Sequence, residues 1–264
     1  MKVAVISVEP TLGKTVLCEV VGGVYSRGQG RVTAIFSTGD VTDYYELCDN
    51  DSKEEKLANP FVLKSIIDSS MEYDKELLDY GTQLGDERVY LFDILSGVMS
   101  EQDKIDFILN AIERIPADLS LVEICGDINS EINKAVLSRC DCCLILFDPS
   151  IKGIRKYKKF VAEFSNDKLK ANRAPIISRF DGNANSEKRI AKMLGSEIYQ
   201  IVKFPYNPTL KRLSLEGGLD KVIYNILTGD FNVVNLRMPI QEIMQFIYDT
   251  PVRKIIREID KWYK

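Results

Sequence analysis

Continuous apolar runs alternate with amphipathic helical stretches along most of the chain, and this alternation restricts the fold more than any other feature. The first run, Lys2 to Val8, is apolar and β-branched, as is typical of a central parallel strand that is covered on both faces. We expect further strands in RVTAIFST, RVYLFDI, LSLVEIC, CCLILFD, APIISRF and IYQIVKF. Strand, crossover helix and strand in repeated order predict a three-layer α/β fold, with a mainly parallel central sheet and helices on both faces.

The segments between these strands carry apolar residues at helical spacing. Residues 14 to about 25 predict the first helix, which we expect to break at Gly22 and Gly23, with the Gly28–Gly30 stretch (GQG) as a turn. Further helices are expected in FVLKSIIDS, DKELLDY, SEQDKIDFILNAIERI, INKAVLS, KGIRKYKKFVAEF and SEKRIAKMLG.

The terminal part of the chain sets the expected domain organisation. Residues 1–229 form one domain in this interpretation, and residues 230–264 form a helical appendage that packs on the same domain. Within the appendage, residues 238–264 predict one or two helices that are broken at Pro251. The polar stretch Glu46–Pro60 is the most loop-like part of the chain.

The composition excludes several classes of function. The 264 residues carry a net charge of -4, so the chain as a whole does not attract nucleic acid or anionic lipid. It contains six cysteines and no histidine, and histidine is the commonest metal ligand and general base. No stretch approaches the roughly 20 apolar residues that span a bilayer, and the N-terminus does not resemble a signal peptide. We therefore expect a cytoplasmic protein with free thiols.

The stretch VAVISVEPTLGKTVL, residues 3–17, joins the first strand to the first helix through Gly13-Lys14-Thr15. In a phosphate-binding loop, helix N–H groups cradle the anion, the lysine reaches the β- and γ-phosphates, and the threonine hydroxyl holds Mg²⁺. The strand and helix on either side favour such a loop. The full GxxxxGK[ST] pattern is absent, because its first glycine falls on Val8. An ordinary strand–turn–helix connection is the alternative interpretation.

Four segments together resemble the ParA/MinD family of deviant Walker A ATPases, in the SIMIBI class of P-loop proteins, over roughly residues 2–229. These segments are VAVISVEPTLGKTVL, the stretch from AIERIP to KYKKF, APIISRFDGNANSEKRIAKMLG and FPYNPTLKRLSLEGG. In the last segment, Pro205, Asn207, Leu210 and Gly217 fall in step with the family pattern. The resemblance implies a P-loop NTPase-like fold that binds ATP or ADP together with Mg²⁺.

The resemblance also assigns roles to individual residues. Lys14 and Glu123 fall on catalytic positions, with Asp127 as the alternative acid, and Thr15 and Glu123 fall on the metal positions. Ser178 stands where the family has an asparagine that contacts adenine. The nucleotide-binding positions are Pro10, Thr11, Leu12, Gly13, Lys14, Thr15, Val16, Ser178, Pro205 and Asn207.

Departures from the family pattern concentrate in the loop. The lysine that reaches across the family's dimer to the partner's phosphates falls on Glu9, and two loop glycines fall on Pro10 and Thr11. A carboxylate at that position repels phosphate, and a proline removes one N–H donor. These changes imply weak or absent ATP hydrolysis by a chain that still binds nucleotide. Lys152 is a candidate replacement for the missing cation, and Asp40 loosely matches a further family aspartate.

Several functions are compatible with this resemblance. The one we favour is a positioning or assembly protein that forms a homodimer and docks on a protein partner such as a secretion or pilus apparatus, as in the TadZ/CpaE-like branch. As a first alternative, an active partition ATPase would bind DNA through the basic segment KGIRKYKKF. As a second, a MinD-like protein would attach peripherally to the inner face of the membrane through PVRKIIREIDKWYK. A ligand-free interaction protein is the third.

Overall fold

The computed structural model describes most of the chain, namely residues 1–39, 60–68, 76–84, 88–93, 100–163, 172–182, 184–195, 201–216 and 218–248. Some expectations fall outside these ranges. They concern Asp40, nearly all of the polar stretch Glu46–Pro60, Gly217, Pro251 and the amphipathic segment PVRKIIREIDKWYK.

The described strands form one mainly parallel sheet. Their bounds are β1 Lys2–Ser7, β2 Thr33–Ser37, β3 Thr82–Gln83, β4 Val89–Phe92, β5 Leu119–Glu123, β6 Cys142–Phe147, β7 Arg173–Phe180 and β8 Val202–Pro205. The order across the sheet is β3-β4-β2-β5-β1-β6-β7-β8, and each neighbouring pair is parallel except β3 with β4. Because β1 lies between β5 and β6, the carboxyl ends of these three strands meet at one edge of the sheet. The predicted α/β fold is confirmed.

Helices cover both faces of this sheet. The described α-helices are α1 Lys14–Gln29, α2 Pro60–Asp68, α3 Glu101–Arg114, α4 Glu131–Arg139, α5 Ile151–Glu163, α6 Ala184–Leu194, α7 Pro208–Leu215, α8 Leu219–Thr228 and α9 Val234–Tyr248, and Glu76–Tyr80 form a 3₁₀ helix. Helices α7 and α8 and the two-residue strand β3 are not among the elements expected from the sequence, and α9 begins four residues before the expected start at Met238. Among the described helices, none combines the length and the apolar character that a membrane span requires.

Two apolar layers pack against opposite faces of the sheet, because consecutive strand residues point to opposite sides. On one face, Val3 and Val5 of β1 pack with α1, α8 and α9, and on the other, Ala4 and Ile6 pack with α2 to α6. All four of these side chains are buried, which accounts for the continuous apolar sequence of β1. The division of the chain into residues 1–229 and 230–264 stays a prediction.

Helix α1 runs through Gly22 and Gly23, so the expected break at these residues is wrong. The reason is close packing: a Cβ atom on Gly23 would lie only 2.2 Å from Cδ1 of Ile223 in α8. The helix ends at Gln29, and Gly30 terminates it in the left-handed conformation at φ 65°. Of the GQG stretch, only the last glycine lies outside the helix.

Candidate functional site

The loop between β1 and α1 leaves the N-terminus of α1 open. Thr11 at φ 62° and Gly13 at φ 85° adopt the left-handed conformation, and these two residues turn the chain into the helix. Gly13 is the N-cap residue, no described side chain caps the helix, and a Cβ atom on Gly13 would meet no atom within 4 Å. The N–H groups at the start of this 16-residue helix are therefore placed to attract an anion.

Lys14, Thr15 and Glu123 come together at the carboxyl edge of the sheet. Glu123 ends β5, next to β1, and only 5% of the residue is exposed. Its carboxylate accepts a hydrogen bond from Thr15 Oγ1, which lies 3.2 Å from Oε1 and 3.1 Å from Oε2. Lys14 Nζ lies 3.7 Å from Glu123 Oε1 and donates to the carbonyl oxygen of Ile124 at 2.8 Å. A hydroxyl and a carboxylate at hydrogen-bond distance are a suitable pair of oxygen ligands for Mg²⁺.

Cys125 borders this cluster, with its Sγ 4.0 Å from Lys14 Nζ and 3.6 Å from Ser37 Oγ. Burial, followed by the negative charge of Glu123, raises the pKa of the Cys125 thiol. A thiol in this state is a poor nucleophile at neutral pH, because the thiolate is the reactive form.

A cavity of about 310 Å³ lies on one side of the loop, next to the start of α1. Its apolar lining comes from the loop, α1, β6, β8 and α7, and its volume falls in the range of small-ligand sites. The predicted nucleotide-binding residues that line it are Thr11, Leu12, Gly13, Val16, Ser178, Pro205 and Asn207. Pro10 and Lys14 line a second cavity on the other side of the loop. The remaining one, Thr15, belongs to the cluster with Glu123.

Two residues at the end of β7 hold the loop from outside. Ser178 Oγ is buried and donates to the carbonyl oxygen of Leu12 at 2.8 Å, and Arg179 Nη2 donates to that of Thr11 at 2.5 Å. The backbone of Arg179 is left-handed at φ 58°. Ser178 could be predicted as a site residue from the sequence, whereas Arg179 could not. Only β6 separates β7 from β1 in the sheet, so residues at the carboxyl end of β7 are close enough to contact the loop.

Asn207 has a structural role that the sequence analysis did not assign. Its Oδ1 accepts from the N–H of Leu210 at 2.8 Å and so caps α7. Its Nδ2 donates to the carbonyl oxygen of Asn232 at 2.9 Å and to Asn235 Oδ1 at 2.7 Å, which ties α7 to the start of α9. The sequence does carry a signal for this cap, since an asparagine directly precedes Pro208 and proline is favoured in the first turn of a helix.

Glu9 is paired with a lysine of α5. Glu9 Oε1 lies 2.6 Å from Lys156 Nζ, and both residues line the second cavity, which has a volume of about 450 Å³ and also borders Lys14 and Asp127. The Asp127 carboxylate accepts from the N–H of Asn129 at 2.9 Å. Lys152, the expected replacement cation, is exposed on α5 and does not line this cavity. In the sequence, Lys156 stands out only as one of the cations in the basic segment KGIRKYKKF.

Comparison with solved structures identifies proteins of the same architecture. A ParA family ATPase from Chlorobium tepidum TLS superimposes with a TM-score of 0.67 at 18% identity, covering 94% of this chain and 98% of that one. The MinC:MinD cell division protein complex of Aquifex aeolicus gives 0.65 at 16% identity, with 95% and 97% covered. A putative plasmid partition protein from Borrelia burgdorferi B31 bound to AMPPNP gives 0.64 at 13% identity, with 94% and 98% covered.

These structures share the fold of the chain over nearly its whole length. The identities are all below one fifth, so the likeness concerns the fold and not the function. No protein-family model matches the sequence, and no curated protein matches it.

Proposed function

We propose that the chain is a ParA/MinD-like nucleotide-binding protein of the deviant Walker A type, which positions or assembles a partner structure and hydrolyses ATP slowly or not at all. One observation carries this proposal. Lys14, Thr15 and Glu123 converge beside the uncapped N-terminus of a 16-residue helix, at the carboxyl edge of a parallel sheet. Ligands of α/β proteins bind at this edge, where helix N-termini face outward.

The residues of the site fit ATP or ADP with Mg²⁺. The N–H groups of Gly13 to Val16 and the Lys14 ammonium would hold the phosphates, and Thr15 with Glu123 would hold the metal, which brings Lewis-acid charge to the phosphates when it is bound. The apolar lining of the 310 Å³ cavity, including Val16 and Pro205, would hold the nucleoside. The open space around Gly13 supports this assignment, because a side chain there would narrow the approach to the helix N-terminus.

The residues of this site are poorly suited to ATP hydrolysis. The loop offers a carboxylate at Glu9 and a proline at residue 10, where a catalytic loop needs a cation and an N–H donor. Loss of one group that stabilises transition-state charge typically lowers the rate by about 10²- to 10³-fold. In a protein with such a site, nucleotide binding rather than hydrolysis would select a conformation or a dimer.

The proposed partners are a second copy of the chain and a protein of a positioning, secretion or pilus apparatus, as in the TadZ/CpaE-like branch. The likeness to a MinD solved together with MinC supports a protein partner. DNA binding finds less support, because three of the five cations of α5 are engaged within the chain. Lys156 pairs with Glu9, Lys159 Nζ lies 3.7 Å from Glu163, and Lys158 Nζ donates to the carbonyl oxygen of Met193.

Calorimetric titration of the full chain with ATP and with ADP, each with Mg²⁺, tests the proposal. We expect saturable binding, and we expect Lys14→Ala to weaken it at least about tenfold, because a charge-assisted contact to phosphate is lost. Lys152→Ala is the matched control, since it removes a lysine that lies outside both cavities. Size-exclusion chromatography of the same samples measures dimer formation. Absence of binding at millimolar nucleotide would overturn the proposal.

A further inference from the structure

We propose that Lys156 neutralises Glu9 and thereby makes the phosphate loop compatible with a polyphosphate, so that the Glu9–Lys156 pair sets the nucleotide affinity of the site. The inference rests on the nucleotide site proposed above and concerns a cation that comes from α5 of the same chain, outside the loop. Lys156 is a positioning residue in this account, because it acts through Glu9.

The pair is built into the edge of the nucleotide site. The two side chains meet at 2.6 Å and line the same 450 Å³ cavity as Lys14, the proposed phosphate-binding lysine. The Glu9 side chain is 19% exposed and that of Lys156 is 43% exposed. Water therefore screens Glu9 less than it screens a carboxylate on the open surface, while Lys156 itself is exposed. Because Glu9 belongs to the loop, its charge acts on an anion bound there.

The start of α5 is fixed so that Lys156 reaches the loop. Gly153 lets the helix approach the end of β6, since a Cβ atom there would lie 2.3 Å from the carbonyl oxygen of Asp148. Ser150 Oγ accepts from the N–H of Gly153 at 3.1 Å and holds the first turn. One residue beyond Lys156, the ring of Tyr157 packs on Phe147 of β6 with centroids 4.7 Å apart. Because β6 borders β1, these contacts carry Lys156 towards the residues that follow β1.

The charges predict effects of opposite sign for the two partners. Without Lys156, the loop carries an uncompensated carboxylate that repels phosphate, so Lys156→Ala should weaken nucleotide binding roughly tenfold. Without the charge on Glu9, Lys156 becomes available to the anion, so Glu9→Gln should strengthen binding by about the same factor. Once residue 9 is neutral, the loss of Lys156 removes its attraction for the phosphates but leaves no negative charge at residue 9 to repel them. The double variant should therefore bind within about threefold of the wild type.

Calorimetric titration with Mg²⁺–ATP of the wild type, both single variants and the double variant tests the inference, with Lys152→Ala as the matched control on the same helix. Lys156→Arg keeps the charge and should restore most of the affinity that Lys156→Ala loses. If the lysine side chain only supported the structure, Glu9→Gln would not strengthen nucleotide binding. Thermal unfolding of each variant establishes that it is folded. If Lys156→Ala did not fold, Glu9→Gln alone would still decide, because unchanged or weaker binding by that variant contradicts the inference.

The outcomes separate this inference from the proposed function. If the wild type does not bind nucleotide, the proposed function falls and the inference falls with it. Suppose instead that the wild type binds nucleotide, that Lys156→Ala has the same affinity as Lys152→Ala, and that Glu9→Gln has the same affinity as the wild type. Only the inference is then overturned. Opposite shifts for the two single variants support both.

Discussion

Replacement of Gly23 by alanine should destabilise the protein, although glycine is normally the poorer residue inside a helix. An added Cβ atom would lie 2.2 Å from Cδ1 and 3.0 Å from Cγ1 of Ile223. These are side-chain atoms, but Ile223 is only 3% exposed and belongs to the apolar core, so it has to displace packed neighbours in order to move. Forcing an extra carbon into such a contact typically costs about 1–3 kcal/mol, whereas the change from glycine to alanine in a helix ordinarily gains about 0.5–1 kcal/mol. We expect a net loss of about 1–2 kcal/mol in the free energy of unfolding.

Two matched variants isolate the clash from the helix propensity. Gly28→Ala in the same helix places a Cβ atom 3.7 Å from Leu227, an ordinary contact, so it should be neutral or stabilising by up to about 1 kcal/mol. Ile223→Val removes Cδ1, the atom that overlaps most. It should cost about 0.5–1.5 kcal/mol alone, but should relieve part of the loss when it is combined with Gly23→Ala.

Urea unfolding followed by circular dichroism measures these differences, and thermal unfolding of Gly23→Ala should show a midpoint that is lower by about 2–4 °C. If Gly23→Ala stabilised the protein as much as Gly28→Ala, the close packing of α1 on α8 would be refuted. If the losses in the free energy of unfolding caused by Gly23→Ala and Ile223→Val simply added in the double variant, Cδ1 of Ile223 would not be the atom that the new Cβ overlaps.

Three further changes have predicted outcomes. Ser178→Ala removes the buried bond to Leu12 and should lower the free energy of unfolding by about 1 kcal/mol, measured in urea, and weaken nucleotide binding in calorimetry. Asn207→Ala should cost about 2 kcal/mol in the same urea assay, because the cap of α7 and two links to α9 are lost together. Burial, reinforced by Asp141, raises the pKa of Cys142 from 9.0 to about 12. The folded state therefore holds this proton more tightly than the unfolded state, and stability should fall as the pH rises from about 9 towards 12, by up to about 1.4 kcal/mol per pH unit. Unfolding of Cys142→Ala across this range should show a shallower decline, and an unchanged slope would contradict the assignment.

The sheet could be predicted because its signal is local. The residues Val3 to Ile6 are apolar without interruption, and burial on both faces by two separate helical layers requires that pattern. Strand β3 has two residues and carries no pattern of its own, so it escaped prediction. Helix α7 lies within residues 204–218 and α8 directly follows them, but this segment is matched in the sequence only to a family pattern, which assigns it no helix.

The errors in the helices arise where packing overrides local propensity. Gly22 and Gly23 look like a break in sequence, and only the close approach of α8 shows why glycine is needed inside α1. The grouping of Lys14, Thr15 and Glu123 could be predicted only through the family resemblance, because the local sequence does not show that β1 and β5 are neighbours in the sheet. The pairing of Glu9 with Lys156 could not, because these residues are far apart in the chain and the sequence does not give the rotation of α5 about its axis.

The proposed function requires the loop at residues 9–15 to hold a polyphosphate together with Mg²⁺. A crystal structure grown with a non-hydrolysable ATP analogue and Mg²⁺ would show whether it does. We expect phosphate density against the N–H groups of Gly13 to Val16, with Lys14 Nζ turned from Ile124 to the phosphates and a metal ion beside Thr15 Oγ1 and Glu123. An empty loop at saturating analogue, with Thr15 still bonded to Glu123 and Lys14 still bonded to Ile124, would contradict the proposed function.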